Sequence, residues 1–238
     1  MPATRVESPV VFLLDVDNTL LDNDRLIADL ERHLERELGA SCRRQYFEIV
    51  EALRAELGYV DYLGALQRYR LAHPLDPRLL AVSSFLLDYP FAERVFPGAR
   101  EVLGHLAESG PTVLLSDGDA VFQPRKIERS GLGASVEGRV LVYVHKEQEL
   151  ADVERRFPAR HYVLVDDKPR ILAAVKQAWG ERVTTVRARP VDRWLVVLRP
   201  GAETAEFANC ANETGRGDLC YGDIPRAEPA AAEETPAP

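Results

Sequence analysis

Short, uninterrupted apolar runs recur along the chain, and each of the first four ends in polar or charged residues. The runs are residues 9–15, 112–115, 139–144, 161–165 and, more weakly, 182–186. Runs of this length that are apolar throughout are typical of strands covered on both faces. Helical patterns, such as those over 146–157 and 169–179, separate the runs. The alternation predicts right-handed β-α-β units and an α/β fold with a doubly wound, Rossmann-like parallel sheet.

The interval between the first two predicted strands departs from this alternation. Residues 23–96 have almost purely helical periodicity, whereas loops between elements have a median of about 4–6 residues. One of its apolar stripes consists of Leu26, Ile27, Leu30, Leu34 and Leu38. We therefore expect an all-helical subdomain, inserted above the carboxyl ends of the strands. The core would then comprise residues 1–22 and 97–200.

Charge and composition limit the classes of partner. The formal net charge of the chain is −8, and residues 201–238 hold eight acidic and two basic residues. That segment has few large apolar side chains, so we expect a disordered acidic tail. The chain lacks the concentrated positive charge of nucleic-acid or anionic-membrane binders. Its first apolar run is too short for a signal peptide or a membrane helix, so a cytoplasmic location is expected.

The ends of four predicted strands carry groups suited to phosphate chemistry. Asp15 and Asp17 close the first run, Ser116 follows the second, Lys146 follows the third, and Asp166-Asp167 end the fourth. Because the carboxyl ends of parallel strands share one sheet edge, these side chains are expected to converge. Several carboxylates packed together repel one another unless a cation lies among them. Mg²⁺ prefers oxygen ligands, and lysine can balance the remaining charge and hold a phosphoryl oxygen.

The order of these motifs resembles the haloacid dehalogenase-like superfamily of phosphohydrolases. Asp15-Val16-Asp17-Asn18-Thr19 is similar to its first motif, Ser116 to its second, Lys146 to its third and Asp166-Asp167 to its fourth. The helical insertion over 23–96 is similar to the α-helical cap of that superfamily. The resemblance covers residues 9 to about 187.

The resemblance implies a role for each matched residue. Asp15 would be the nucleophile that forms an aspartyl-phosphate, and Asp17 the general acid and then the general base. Thr19 would steady Asp17 and the turn, while Ser116 and Lys146 would bind phosphoryl oxygens. Mg²⁺ would be held by Asp15, the backbone carbonyl of Asp17 and Asp166, with Asp167 next to them. The expected partner is a small phosphorylated metabolite.

The residues at two positions, Lys126 and Arg170, can be interpreted in more than one way. Lys126 lies in a helical stretch, where we interpret it as a lysine on a solvated face, so Lys146 is the expected third-motif residue. At Arg170 the superfamily often carries another acid or an asparagine, which leaves the metal ligands open. The Asp22-Asn23-Asp24 stretch is interpreted as helix capping rather than as metal ligands.

Several alternative functions stay open from the sequence. A sugar-phosphate mutase would keep both acids, and a haloacid dehalogenase would not need Asp17, since halide leaves without a proton. A non-catalytic binding module on the same scaffold is supported only by Arg170. A receiver-like switch is disfavoured because its acidic pair follows the first strand. A nucleoside triphosphatase is disfavoured because no GxxxxGK[ST] loop is present.

Overall fold

The computed structural model describes residues 7–188 and the two-residue strand Ala205–Glu206. Within these residues a parallel sheet has the strand order β3-β2-β1-β4-β5-β6. The strands are β1 (Ser8–Leu14), β2 (Thr112–Asp117), β3 (Val140–Tyr143), β4 (Ala159–Asp166), β5 (Val183–Arg187) and β6 (Ala205–Glu206). The predicted α/β, Rossmann-like fold is confirmed.

The helices follow the predicted alternation, with five of them between β1 and β2, and the first four of these five lie within residues 23–96. They are α1 (Asn23–Leu38), α2 (Ala40–Leu57), α3 (Tyr62–Ala72), α4 (Leu79–Asp88), α5 (Ala99–Ala107), α6 (Phe122–Arg129), α7 (Leu132–Ser135), α8 (Leu150–Arg156) and α9 (Pro169–Trp179). Short 3-10 turns cover Phe91–Arg94, Lys146–Gln148 and Gly180–Arg182. None of the helices in the described part of the chain has the length and apolar composition to cross a membrane.

The apolar pattern of β1 explains how the sheet is covered on both faces. Phe12 and Leu14 belong to an apolar cluster that continues into the inserted helices, whereas Leu13 belongs to a second cluster on the opposite face. This alternation is the period-two geometry of a strand. The second cluster includes Val153 of α8 and Val175 of α9. A run apolar at every position can therefore be buried on both sides.

The inserted helices form because their apolar residues recur once per turn. In α1 the buried residues are Leu26, Leu30, Leu34 and Leu38. Asp22 caps this helix by accepting a hydrogen bond from the Arg25 backbone N–H at 2.8 Å, which confirms the capping interpretation. At the end of α2, Gly58 has φ +81°, a left-handed conformation that glycine adopts without strain.

The strand order determines where the polar strand ends meet. β1 lies between β2 and β4, so the chain changes direction across the sheet at β1. Open α/β sheets bind ligands at the carboxyl ends of strands beside such a switch. The division into a core of 1–22 and 97–200 and a cap of 23–96 stays a prediction. Residues 1–6 and 189–200 lie outside the described residues, as does the predicted tail 201–238 apart from β6.

Candidate active site

The turn after β1 leaves the carboxylates of Asp15 and Asp17 with different exposure to solvent. The Val16 carbonyl accepts hydrogen bonds from the backbone N–H groups of Thr19, Leu20 and Leu21, which closes the chain into a tight turn. Asn18 in this turn has a left-handed φ of 57°, which asparagine tolerates better than most residues. Asp15 is 1% exposed, whereas the Asp17 side chain keeps 24% of its surface exposed.

Lys146 joins the ends of β1 and β4. Its Nζ lies 2.5 Å from Asp15 Oδ1 and 2.6 Å from Asp166 Oδ2, and it also donates to the Leu115 carbonyl at 3.1 Å. Burial by itself lowers the pKa of Lys146, but the neighbouring carboxylates of Asp15 and Asp166 outweigh burial, and the pKa is raised overall. Lys146 is therefore a fixed positive charge between the two acids.

Three carboxyl groups form a compact cluster beside this lysine. Oxygens of Asp15, Asp166 and Asp167 lie within 4.8 Å of one another. Asp15 Oδ2 and Asp167 Oδ1 are buried without a hydrogen-bond partner among the described residues. Burial and the charge of Asp15 raise the pKa of Asp166, and the same two causes raise the pKa of Asp167 to about 6. The cluster therefore has oxygen ligands and negative charge available for a cation.

The balance of charge at this edge favours a divalent ion. When all of them are ionised, five carboxylates face three ammonium groups, which leaves two negative charges without a counter-charge. The groups are Lys126, Lys146 and Lys168, with Asp15, Asp17, Asp117, Asp166 and Asp167. Mg²⁺ carries the missing charge and takes oxygen ligands. The residues present therefore fit the predicted ion, with Asp15, Asp166 and Asp167 offering side-chain oxygens.

The end of β2 supplies a buried hydroxyl. Ser116 is 1% exposed, and its Oγ accepts a hydrogen bond from Gln123 Nε2 at 2.8 Å. Asp117 Oδ1 accepts a hydrogen bond from the Lys146 backbone N–H at 2.8 Å, which ties the ends of β2 and β3 together. A Cβ at Gly118 would lie 2.7 Å from Gln123 Cβ, so only glycine allows this close approach.

Lys126 is not on a solvated face, so that interpretation is wrong. The Lys126 side chain is 2% exposed, and its Nζ lies 2.7 Å from Asp17 Oδ1. Gln123 Nε2 donates to Asp17 Oδ2 at 3.2 Å. The buried residues of α6 also include Phe122 and Ile127, four residues before and one after the lysine. That spacing was the available signal, because Lys126 shares the helix face of apolar side chains.

Two further residues, Thr19 and Arg170, lie in surroundings that the motifs did not predict. Thr19 Oγ1 is buried and has no hydrogen-bond partner among the residues described, so its hydroxyl does not steady Asp17. The Thr19 backbone N–H still stabilises the turn through the Val16 carbonyl at 3.3 Å. Arg170 forms an ion pair with Glu147 at 2.5 Å and its side chain is 66% exposed, so its charge is directed to the surface.

The loop between α2 and α3 lies against the same edge of the sheet. A Cβ at Gly58 would be 2.3 Å from Cε1 of His145, the residue before Lys146. Burial, followed by the charge of Asp17, raises the pKa of Tyr62 in α3. The helical insertion therefore touches the site through its α2–α3 loop and the start of α3.

Comparison with known proteins gives a family and a shared fold. The model of a hydrolase family, the haloacid dehalogenase-like hydrolases, matches residues 10–186. No curated protein matches the chain. A solved structure from Burkholderia xenovorans LB400, described as a haloacid dehalogenase-like hydrolase, is 66% identical, with a TM-score of 0.73, over 76% of this chain and 84% of that chain.

Two more distant structures share the fold. A haloacid dehalogenase-like family hydrolase from Xanthomonas campestris is 23% identical, with a TM-score of 0.57, over 83% of this chain and 89% of its own. The HAD-hydrolase YfnB from Bacillus subtilis, bound to magnesium, is 16% identical, with a TM-score of 0.51, over 76% of this chain and 87% of its own.

Proposed function

Because this chain belongs to the haloacid dehalogenase-like hydrolase family, we propose that it is a Mg²⁺-dependent phosphohydrolase acting on a small phosphorylated metabolite. The observation that carries the proposal is the joint placement of Asp15 and Asp17 at the edge where Lys146 and the carboxyl cluster meet. A nucleophile, a proton donor and a binding site for a phosphoryl group are all needed, because phosphate monoesters hydrolyse very slowly without catalysis.

Asp15 is suited to be the nucleophile. Lys146 holds its Oδ1, while its Oδ2 is buried without a hydrogen-bond partner and is free to attack phosphorus. In this step a bond forms between Asp15 Oδ2 and phosphorus, and the bond between phosphorus and the leaving oxygen breaks. The electron pair of the broken bond goes to the leaving oxygen, and an aspartyl-phosphate results.

Asp17 is suited to move the protons of both steps. Its partly exposed carboxyl group would give a proton to the leaving oxygen, so that a neutral alcohol departs. The resulting carboxylate would take a proton from the water that attacks the aspartyl-phosphate. Inorganic phosphate then leaves, and the Asp15 carboxylate is regenerated.

The remaining residues would bind the phosphoryl group and the metal. Lys146 and the Ser116 hydroxyl would contact its oxygens. The Asp15, Asp166 and Asp167 carboxylates and the Asp17 backbone carbonyl would hold Mg²⁺, and magnesium in the Bacillus subtilis structure supports this choice. When bound, Mg²⁺ neutralises negative charge on the phosphoryl group. We also propose that the insertion acts as a cap, supported by the contact of Gly58 with His145.

The presence of Asp17 also helps to distinguish phosphoryl transfer from dehalogenation, the main alternative reaction within the family. Cleavage of a carbon–halogen bond releases halide, which needs no proton, so a dehalogenase has no use for a second acid there. In this chain Asp17 is retained and two side chains of α6 hydrogen-bond to it. Phosphoryl transfer is therefore favoured over dehalogenation. A mutase also needs both acids and is distinguished by its product.

The proposal is tested with p-nitrophenyl phosphate and a panel of phosphorylated metabolites. We expect hydrolysis that requires Mg²⁺, stops with a chelator, and is lost in Asp15→Asn. Asp88→Asn is the matched control, because Asp88 is 63% exposed and its ion pairs within the described part of the chain are with surface arginines of α6. Turnover of 2-haloacids without phosphatase activity, or full activity of Asp15→Asn, would contradict the proposal. Transfer of phosphate within a sugar phosphate would indicate a mutase.

A further inference from the structure

Both carboxylate oxygens of Asp17 are held from the same helix. Lys126 Nζ donates to Oδ1 at 2.7 Å, and Gln123 Nε2 donates to Oδ2 at 3.2 Å. Two anchors on different oxygens fix the rotation of a carboxylate, which one hydrogen bond cannot do. Each oxygen retains a second lone pair. The partly exposed side of Asp17 therefore stays available to a substrate while its orientation is fixed.

Lys126 also contacts the beginning of the insertion. Its Nζ donates to Asn23 Oδ1 at 3.0 Å, and Asn23 is the first residue of α1. The Asn23 side chain in turn lies close enough to Tyr62 of α3 to lower the pKa of its hydroxyl, against the larger raising effect of burial. The ring of Tyr62 packs edge-on against Phe122 of α6, with centroids 5.5 Å apart. Lys126 is therefore the point at which Asp17, α6 and the inserted helices meet.

A buried ammonium group is costly unless it is paired. Lys126 is 1% exposed, so its position has to be explained by its partners rather than by solvation. It does not contact Asp15 or Asp166, both of which pair with Lys146 instead. Among the described residues, the carboxylate with which Lys126 pairs is that of Asp17.

We propose that Lys126 is a positioning residue, which holds Asp17 in the orientation for proton transfer and links that orientation to the insertion through Asn23. The inference rests on the proposed function. Asp17 passes its proton to the leaving oxygen as the phosphorus–oxygen bond breaks, and the resulting carboxylate is paired with Lys126. Lys126 would act through Asp17 rather than on the phosphoryl group, because its Nζ pairs with Asp17, whereas Asp15 pairs with Lys146.

The inference is tested by how much each substrate depends on a proton donor. p-Nitrophenolate is a stable anion that leaves without protonation, whereas an alkyl phosphate must be protonated at the leaving oxygen. For Lys126→Met we expect kcat/KM to fall about 10- to 100-fold on an alkyl phosphate taken from the metabolite panel. The same variant is expected to lose less than about 3-fold on p-nitrophenyl phosphate. Arg125→Met, which removes the neighbouring surface cation of the same helix, should change neither value appreciably.

A double-mutant cycle separates positioning from a purely structural role. In an Asp17→Asn background, Lys126→Met should cause no further loss on the alkyl phosphate, because the proton donor is already absent. Lys126→Arg, which keeps the charge, should recover part of the activity. Asn23→Ala is a second variant, which leaves the charges intact, and is expected to give the same substrate-dependent loss in weaker form.

The outcomes distinguish this inference from the proposed function. Equal losses on both substrates, or losses that multiply in the double mutant, would overturn the positioning role of Lys126 while wild-type phosphatase activity stood. Wild-type enzyme without phosphatase activity would instead overturn the proposed function. Thermal unfolding of each variant identifies any that fail to fold, and Asn23→Ala then gives the decisive comparison.

Discussion

Replacing Lys146 by methionine removes the positive charge at the centre of the site. Its Nζ lies 2.5 Å from Asp15 and 2.6 Å from Asp166, and all three side chains are at most 1% exposed. Removing one member of a buried ion pair costs about 3–5 kcal/mol, because the remaining charge is left without a partner. For a chain of this size that loss lowers the unfolding midpoint by roughly 6–20 °C.

The assay is thermal and urea unfolding in the presence of a chelator, followed by circular dichroism. Lys176→Met is the matched control, because Lys176 is 28% exposed and its main contact is the Val183 carbonyl at 3.1 Å. We expect that control to lose less than about 1 kcal/mol. Mg²⁺ at about 100 times its dissociation constant should stabilise the wild type by about 2.7 kcal/mol. At the same Mg²⁺ concentration, the gain in stability should be larger in Lys146→Met, since the ion there compensates a greater negative charge.

A loss in Lys146→Met no greater than that of Lys176→Met would refute this reasoning. It would mean that the ammonium group is not buried between two charged acids in solution. The expected loss of stability in Lys146→Met, without any stabilisation of either protein by Mg²⁺, would instead refute the assignment of the carboxyl cluster as the metal site.

Two other predictions concern the insertion and the carboxyl cluster. Gly58→Ala places a methyl group 2.3 Å from His145, whereas Gly39→Ala meets nothing within 4 Å although both glycines have positive φ. We therefore expect steady-state kinetics to give a higher KM for Gly58→Ala, at least about 3-fold above that of Gly39→Ala; equal values would contradict a role for this contact. In chelator, Asp167→Asn should be more stable than wild type at pH 7, because it removes a carboxylate whose pKa is raised to about 6. The raised pKa means that the folded protein binds the proton of Asp167 more tightly than the unfolded chain does. As the pH falls from 7 towards 4, the free energy of unfolding of the wild type should therefore rise relative to that of Asp167→Asn. Urea unfolding at several pH values measures how far the difference in stability between the two proteins narrows. A difference that does not change with pH would contradict this assignment.

The sequence was sufficient to predict the first five strands of the sheet and the residues at its edge, but not β6, which falls in the segment predicted to be a disordered tail. Residues 11–15 of the first apolar run and 162–165 of the fourth are buried on both faces, and this pattern depends only on local spacing. The parallel strand order then requires Asp15, Ser116 and Asp166 to end at one edge. The chemical roles assigned to them stay predictions until activity is measured.

The contacts of Asp17 could not be predicted in the same way. Lys126 lies 109 residues from Asp17 along the chain, and only the packing of α6 against the turn brings them together. Gln123 is a neutral side chain that no motif identified, and its role depends on the same packing. A buried lysine and an exposed lysine look alike in the sequence unless the apolar face of their helix is taken into account. Thr19 shows the reverse case, because a motif position suggested a hydrogen bond that its hydroxyl does not make.

The central claim is that Asp15 carries the phosphoryl group during turnover. The most direct measurement is acid quenching of the enzyme during Mg²⁺-dependent turnover, followed by borohydride reduction and peptide mass spectrometry. Borohydride reduces an aspartyl-phosphate to homoserine, so the account predicts homoserine at position 15 and no modification in protein quenched without substrate. Modification of a different residue, or unmodified Asp15 while phosphate is released in a burst, would contradict it.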